Sequence, residues 1–84
     1  MDWDVTTVCV IGDFTLRVCF RDGVEGEVRF LPSFFRGVFS QLSDPACFSL
    51  VSVDDGVVTW PGELDLAPDA MHDEIKLHGE WVLD

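Results

Sequence analysis

Alternation of apolar and other residues through positions 5–30 is the feature that most constrains this fold. The segments VTTVCVI (5–11), FTLRVCF (14–20) and VEGEVRF (24–30) can each place apolar side chains on one side. A period of two sends successive side chains to opposite faces of a β-strand, so one face can pack on a core while the other meets water. These residues therefore predict three antiparallel strands in a meander.

The first loop sets the register of the first two strands. A two-residue turn at Gly12-Asp13 suits the glycine and places Val5 opposite Phe20. The same register places Cys9 opposite Leu16, so we expect the Cys9 thiol to point into the core. Cys19 then points to the other face, and the two thiols are not expected to pair.

The second loop is expected to hold three residues, 21–23. This length keeps Phe20 and Val24 on one face, and it puts Gly23 where a left-handed residue is needed. The outer face, which we expect to meet water, carries polar and charged residues: Thr6, Thr15, Arg17, Glu25, Glu27 and Arg29.

The period changes over residues 31–42, LPSFFRGVFSQL. Its apolar residues fall on one side of a helical wheel and predict a helix at about 33–42 that packs on the sheet. Gly37 inside this helix would be explained by a close approach to the sheet. Asp44 as a cap and Pro45 as a first residue predict a further short helical turn.

A hairpin and a helix are predicted for the rest of the chain. Strands at 47–53 and 57–60 would flank a type I′ turn at Asp55-Gly56 and share an apolar face. Pro68 would open a helix over about 68–77, with Met71 and Ile75 as its apolar contacts. We therefore expect one α+β domain over residues 1–84: a mostly antiparallel, meandering sheet of about five strands with two helices packed against it.

Charge is distributed unevenly along the chain. The formal net charge is −11; residues 1–42 hold six acids and four bases, and residues 43–84 hold ten acids and one base. So few bases argue against direct binding to nucleic acid, which requires Lys and Arg at the phosphates. A field of one sign over half of a small domain favours a cationic partner, although it also serves solubility.

Localisation is read from the N-terminus and the cysteines. The start, MDWDV, has no basic end followed by an apolar run, and no stretch is long and apolar enough to predict a membrane span. The three cysteines are odd in number and lack CxxC spacing, which fits a reduced, cytoplasmic protein.

Several segments carry a family resemblance: DWDV, FTLRVCFRDGVEGEVRF, FRGVFSQLSDPACFSLVSVDDG and VVTWPGELDLAPDAMHDEIK. Over residues 3–76 the chain resembles the bacterial domain of unknown function 2442 family. The resemblance implies a compact α+β domain without known catalytic residues or cofactors. Some relatives are fused to a DNA-binding helix-turn-helix, and others are encoded beside a small toxin-like protein, which implies an antitoxin-like role. Ala67 departs from relatives that often have Ser or Thr there as a helix cap.

The segment DLAPDAMHDEIKLHGE (65–80) is the densest cluster of titratable residues. Asp69, His72 and Asp73 share a helix face and could hold a divalent metal, but one histidine and two carboxylates make a weak ligand set. Acids early and bases late in a helix also complement its dipole without a ligand. A Cys47 nucleophile would need a nearby base, and no motif ties it to His72 or His78.

The sequence best supports a non-enzymatic module that acts by protein–protein contact, with no cofactor. A small basic protein is the expected partner. The residues expected to contact it are Trp60 and the acids Glu63, Asp65, Asp69, Asp73 and Glu74. Trp60 can instead fill the core beside Val51. Two alternatives remain: a domain that forms a homodimer through a free sheet edge, and a small metal-dependent enzyme.

Overall fold

The computed structural model describes residues 3–84. Its strands are β1 (Val5–Gly12), β2 (Thr15–Phe20), β3 (Glu25–Phe30), β4 (Ser52–Asp54), β5 (Val57–Trp60), β6 (Leu64–Asp65) and β7 (Glu80–Leu83). Its helices are α1 (Pro45–Phe48), α2 (Pro68–His78) and two 3₁₀ segments, Pro32–Phe34 and Gly37–Ser43. The α+β class is confirmed. The expectation of a single sheet of about five strands is wrong, because the strands form two sheets.

The first sheet has four strands in the order β1-β2-β3-β7. Strands β1, β2 and β3 form the predicted antiparallel meander, whereas β7 pairs with β3 in parallel. A parallel neighbour requires a long crossover, which here comprises the whole second sheet and α2. The second sheet is antiparallel, in the order β4-β5-β6. Neither β6 nor β7 was predicted.

The β2–β3 hairpin has the predicted register. The amide of Phe20 donates to the carbonyl of Val24 at 2.8 Å across the three-residue loop, and Gly23 has a φ of 93°. On the outer face, Arg17 forms an ion pair with Glu25 at 2.9 Å. Turn chemistry and the period of two agree in this hairpin, so the sequence determines its register.

Strand β1 corrects the predicted orientation of Cys9. Val5 does lie opposite Phe20, but irregularities between Val5 and Thr7 and between Val10 and Gly12 shift the register. One extra residue in a strand reverses the side chains that follow. Cys9 therefore lies opposite Arg17 rather than Leu16, and it is exposed.

The shifted register changes which residue of β1 packs on the core. Val8 lies opposite Val18 and packs against the core, on the face where the sequence predicted Cys9. The turn also moves by one position, because Gly12 pairs with Thr15. The two loop residues are consequently 13 and 14.

The segment predicted as a helix at 33–42 forms two 3₁₀ segments instead. Between them Arg36 is extended, with φ −140° and ψ 161°, and Gly37 has a φ of 60°. A left-handed residue interrupts a right-handed helix, and glycine is the residue that adopts this conformation readily. No neighbouring atom lies within 4 Å of a Cβ built on Gly37. The backbone break, rather than a close approach, therefore explains this glycine.

The short helical turn after this segment is confirmed. The Asp44 carboxylate accepts a hydrogen bond from the amide of Ala46 at 3.0 Å, and Pro45 opens α1. Because α1 extends to Phe48, the strand predicted for 47–53 is reduced to β4. The predicted pairing of Val53 with Val58 holds, across a turn at residues 55 and 56.

Helix α2 packs closely on the first sheet. It ends at Gly79, whose φ is 79° and whose amide donates to the carbonyl of Ile75 at 2.7 Å. A Cβ on Gly26 of β3 would lie 2.5 Å from the Gly79 carbonyl oxygen, so only glycine fits there. Met71 and Ile75 are buried, as predicted, and Ala67 gives the helix no side-chain cap.

Phe30 of β3 lies where the two sheets meet. Its ring packs edge-on against the rings of Phe48 and Trp60, with centroid distances of 5.1 Å and 6.0 Å. Phe34 and Phe35 cover the ring from the 3₁₀ segment. One continuous aromatic core therefore joins both sheets.

Candidate functional site

The acidic surface consists of five side chains within one strand–turn–helix unit. Its members are Glu63, Asp65, Asp69, Asp73 and Glu74. The first four are exposed and Glu74 is half-buried. The unit runs from the turn before β6 through the first two turns of α2.

Local structure turns these acids outward. In β6, Leu64 faces the core and Asp65 takes the other face. In α2 the buried positions are Met71, His72 and Ile75. Asp69 and Asp73, four residues apart, lie on the solvent side. Asp69 also stands in the first turn, where the helix dipole favours a negative charge.

The acidic surface is largely uncompensated. Glu74 lies 3.7 Å from His78, but within residues 3–84 the other four carboxylates form no ion pair or side-chain hydrogen bond. Lys76 is the only lysine or arginine after residue 42. The negative field of this surface therefore extends into solvent over roughly a Debye length, about 8 Å at physiological ionic strength.

Trp60 does not belong to this surface. Its side chain is in the core, with an exposed fraction of 2%, and its Nε1–H donates to the Phe48 carbonyl at 2.9 Å. A buried indole needs such a partner for its N–H. The inclusion of Trp60 among the partner-contacting residues is therefore corrected, and the alternative, that it fills the core, is confirmed.

His72 is turned away from the acids next to it in sequence. Its Nε2 lies 2.8 Å from a carboxylate oxygen of Asp22, in the loop between β2 and β3. Its ring packs edge-on against Phe20 at a centroid distance of 4.9 Å. The structure thus does not assemble Asp69, His72 and Asp73 into a ligand set. Within residues 3–84, no three His, Cys, Asp or Glu residues are placed to hold a metal ion.

The Asp22–His72 contact was missed because 50 positions separate its members. The available signal was that His72 shares the buried face of α2 with Met71 and Ile75, where a polar ring needs a partner. Asp22 also accepts the amide of Val24 at 3.1 Å. Two hydrogen bonds lower the pKa of Asp22 below its ordinary value of 3.8. The larger contribution comes from His72 and the next from the Val24 amide.

The three cysteines are free thiols. Cys19 lies 3.6 Å from a carboxylate oxygen of Glu25, and Cys47 lies 4.0 Å from one of Asp44. No hydrogen bond joins a cysteine to a histidine in the part of the chain that the structure describes. The Cys–His arrangement that activates a nucleophile is not formed there.

Among the helices that the structure describes, none has the length and apolar character needed to cross a bilayer.

Comparison with known proteins agrees with the resemblance. The family model described as "Protein of unknown function (DUF2442)" matches residues 5–76, which is most of the chain. No curated protein and no solved structure gave a significant match. The matched range covers both sheets except β7, and it includes the acidic surface. The chain belongs to the domain of unknown function 2442 family.

Proposed function

We propose that this chain is a non-enzymatic binding module whose acidic surface recognises a cationic surface of another protein. The observation that carries the proposal is the group of four exposed, unpaired carboxylates on residues 63–73. A small basic protein, of the toxin-like kind encoded beside some relatives, is the partner class that fits this field. The free thiols are consistent with action in the cytoplasm.

The acidic surface would act mainly on the rate of encounter. Complementary fields steer a charged partner toward the correct face and raise the association rate, and salt weakens the effect. An apolar contact is available near the acidic surface, because Leu77 in the last turn of α2 is 75% exposed. Charge would thus guide the partner, and Leu77 would supply the surface that becomes buried on binding.

The test begins with affinity capture from the native cell at low and then moderate salt. A basic protein recovered in stoichiometric amount is then purified, and its affinity is measured against two matched variants. The test variant neutralises the acidic surface: Glu63→Gln, Asp65→Asn, Asp69→Asn, Asp73→Asn and Glu74→Gln. The control variant neutralises five acids elsewhere: Asp13→Asn, Glu27→Gln, Asp54→Asn, Asp55→Asn and Asp84→Asn.

The two variants change the net charge equally, so a difference between them reports position. We expect the test variant to lose about tenfold or more in affinity at low salt and to show a weaker salt dependence. The control variant should stay close to the unmodified protein. Equal losses in both variants would show that net charge alone attracts the partner, and no loss in either would contradict the proposal.

A further inference from the structure

Four strands stand at sheet edges in the described part of the chain: β1, β4, β6 and β7. Exposed edges invite pairing with another chain, and natural proteins commonly protect them with charge. Three of the four carry an acid: Asp54 in β4, Asp65 in β6 and Glu80 in β7. Strand β1 is the longest of the seven and has no charged residue from Val5 to Gly12.

The direction of the β1 backbone groups follows from its neighbour β2. The amide of Phe20 donates to the carbonyl of Val24, and the amide of Phe30 donates to the carbonyl of Phe14. Even-numbered residues along β2 therefore direct their N–H and C=O groups to β3. Odd-numbered residues of β2 consequently bond to β1, because these groups alternate along a strand.

The same alternation assigns the residues of β1. Cys9 lies opposite Arg17 and Thr7 lies opposite Cys19, so Cys9 and Thr7 use their backbone groups on β2. The N–H and C=O of Val8 and Val10 therefore point to the open edge.

No backbone hydrogen bond within residues 3–84 engages these outward groups of Val8 and Val10. The second sheet contacts β1, but the backbone bond that joins them, from the Val5 amide to the Gly56 carbonyl at 2.9 Å, lies at the first residue of the strand. Toward the other end of the strand the side chains are open to solvent, with Val10 41% and Ile11 48% exposed.

We infer that β1 pairs antiparallel with β1 of a second copy of this chain. Charge favours this edge for self-pairing: two copies that each carry a net charge of −11 repel one another, and the repulsion is smallest where they meet through a strip without charge. A cationic partner would gain no electrostatic attraction from β1 and would be drawn to the acidic surface instead. The uncharged edge is therefore the part of the surface that best accommodates a second copy of this negatively charged chain.

The twofold axis of such a pair fixes its register. An axis perpendicular to the sheet places some residue opposite its own copy. The backbone N–H and C=O groups of Val8 and Val10 can all form hydrogen bonds when Val8 of one copy lies opposite Val10 of the other. Cys9 then faces Cys9 of the second copy as a non-hydrogen-bonded pair.

In such a pair the Cα atoms lie about 4.5 Å apart, within the range of a disulfide. The register shifts near Thr6 and Ile11 confine the regular pairing to a short stretch. A limited stretch favours a weak, closed dimer over an extended fibre.

The first test uses cysteine crosslinking. A protein with Cys9 as its one cysteine (Cys19→Ser, Cys47→Ser) is oxidised with copper phenanthroline over a concentration series. Its control carries Cys9→Ser and Ser33→Cys in the same background, which moves the thiol to another exposed position. We expect a disulfide-linked dimer from Cys9 and only a trace from the control. Equal crosslinking by both proteins, or none through Cys9, would overturn the proposed register.

The second test does not depend on cysteine. Val10→Glu places a charge on the open edge, and Val82→Glu is a matched control on β7, since the two valines are 41% and 43% exposed. Sedimentation equilibrium should show the unmodified protein and Val82→Glu rising toward twice the monomer mass with concentration, and Val10→Glu should remain monomeric. A monomeric unmodified protein, or equal loss in both variants, would overturn the inference.

The dimer and the acidic surface can fail separately. The variant with a neutralised acidic surface should still dimerise, and Val10→Glu should still bind a cationic partner.

Discussion

The first sheet and the strand–turn–helix unit at residues 63–74 differ in how their charges are paired. In the first sheet, Arg17 pairs with Glu25 at 2.9 Å and Arg29 pairs with Glu80 at 3.2 Å, so neighbouring strands neutralise one another. In the strand–turn–helix unit at residues 63–74, four carboxylates lie in solvent without a cationic partner in the described part of the chain. The first arrangement cancels the field at the surface and the second projects it outward.

This difference separates recognition from stability. Exposed ion pairs such as Arg17–Glu25 contribute roughly 0.2–1 kcal/mol each, and unpaired surface acids contribute little or repel one another. Neither region is therefore held together by its charges. The two sheets share the aromatic core around Phe30, and the outward field distinguishes the acidic surface.

The largest expected effect tests whether the two sheets unfold as one cooperative unit. Phe30→Ala removes the ring that contacts Phe48 and Trp60, and should lower the free energy of unfolding by about 3–5 kcal/mol. Urea unfolding followed by tryptophan fluorescence and by far-UV circular dichroism should give coincident transitions before and after the change. Separate transitions would show that the two regions fold independently, contrary to a shared core.

A smaller effect tests how closely helix α2 packs on the first sheet. Gly26→Ala would place a Cβ 2.5 Å from the Gly79 carbonyl oxygen and 2.6 Å from Ile75, and should cost about 1–3 kcal/mol of stability. Gly12→Ala is the control: it meets no atom within 4 Å and should change stability by less than about 1 kcal/mol. Similar losses in the two variants would argue against the close packing of α2.

The N-terminus of α2 offers a gain rather than a loss. Ala67 has an extended backbone and no side-chain cap, so Ala67→Ser should stabilise the protein by about 1 kcal/mol. Ala70→Ser, inside the helix, makes no cap and should be neutral or slightly destabilising. Thermal unfolding of the three proteins measures the difference. Unchanged stability in Ala67→Ser would mean that the acids already satisfy this helix end.

The smallest effect concerns the partly buried contact between Asp22, in the loop after β2, and His72 on α2. The lowered pKa of Asp22 means that its ionised form favours the folded state. The stabilisation is complete above the ordinary pKa of 3.8 and is lost as the pH falls through the lower pKa of the folded protein. Asp22→Asn should therefore be less stable than the unmodified protein near neutral pH, and the gap should shrink at acidic pH.

Urea unfolding over a pH series measures this gap, with Asp13→Asn as a control because the Asp13 side chain makes no hydrogen bond or ion pair within residues 3–84. A gap for Asp22→Asn that is constant with pH would contradict the role of the ionised carboxylate.

The outward position of the acids could be predicted from the sequence, whereas the positions of Trp60 and His72 could not be decided from it. Acids such as Asp69 and Asp73 were placed correctly because the apolar positions of α2 define its outward face. Trp60 and His72 were ambiguous, since an indole or imidazole suits either a core or a surface. Their burial depends on Phe48 and Asp22, which are distant in sequence, and no local pattern specifies those partners.

By itself the sequence determined the features that are set by a few neighbouring residues. These are the register of the β2–β3 hairpin, the Asp44 cap and the helix opened by Pro68. In each case local conformational preference and hydrophobic period favour the same structure.

Tertiary contacts decided the structure wherever these local signals conflict or are absent. Packing of Val8 on the core outweighed regular pairing in β1, so Cys9 faces solvent. Strand β7 was added beside β3 as one edge of the first sheet, and the charge-free strand β1 forms the other edge. Such contacts form between residues far apart in the chain, and their free energy comes from burying surface that no local pattern reveals.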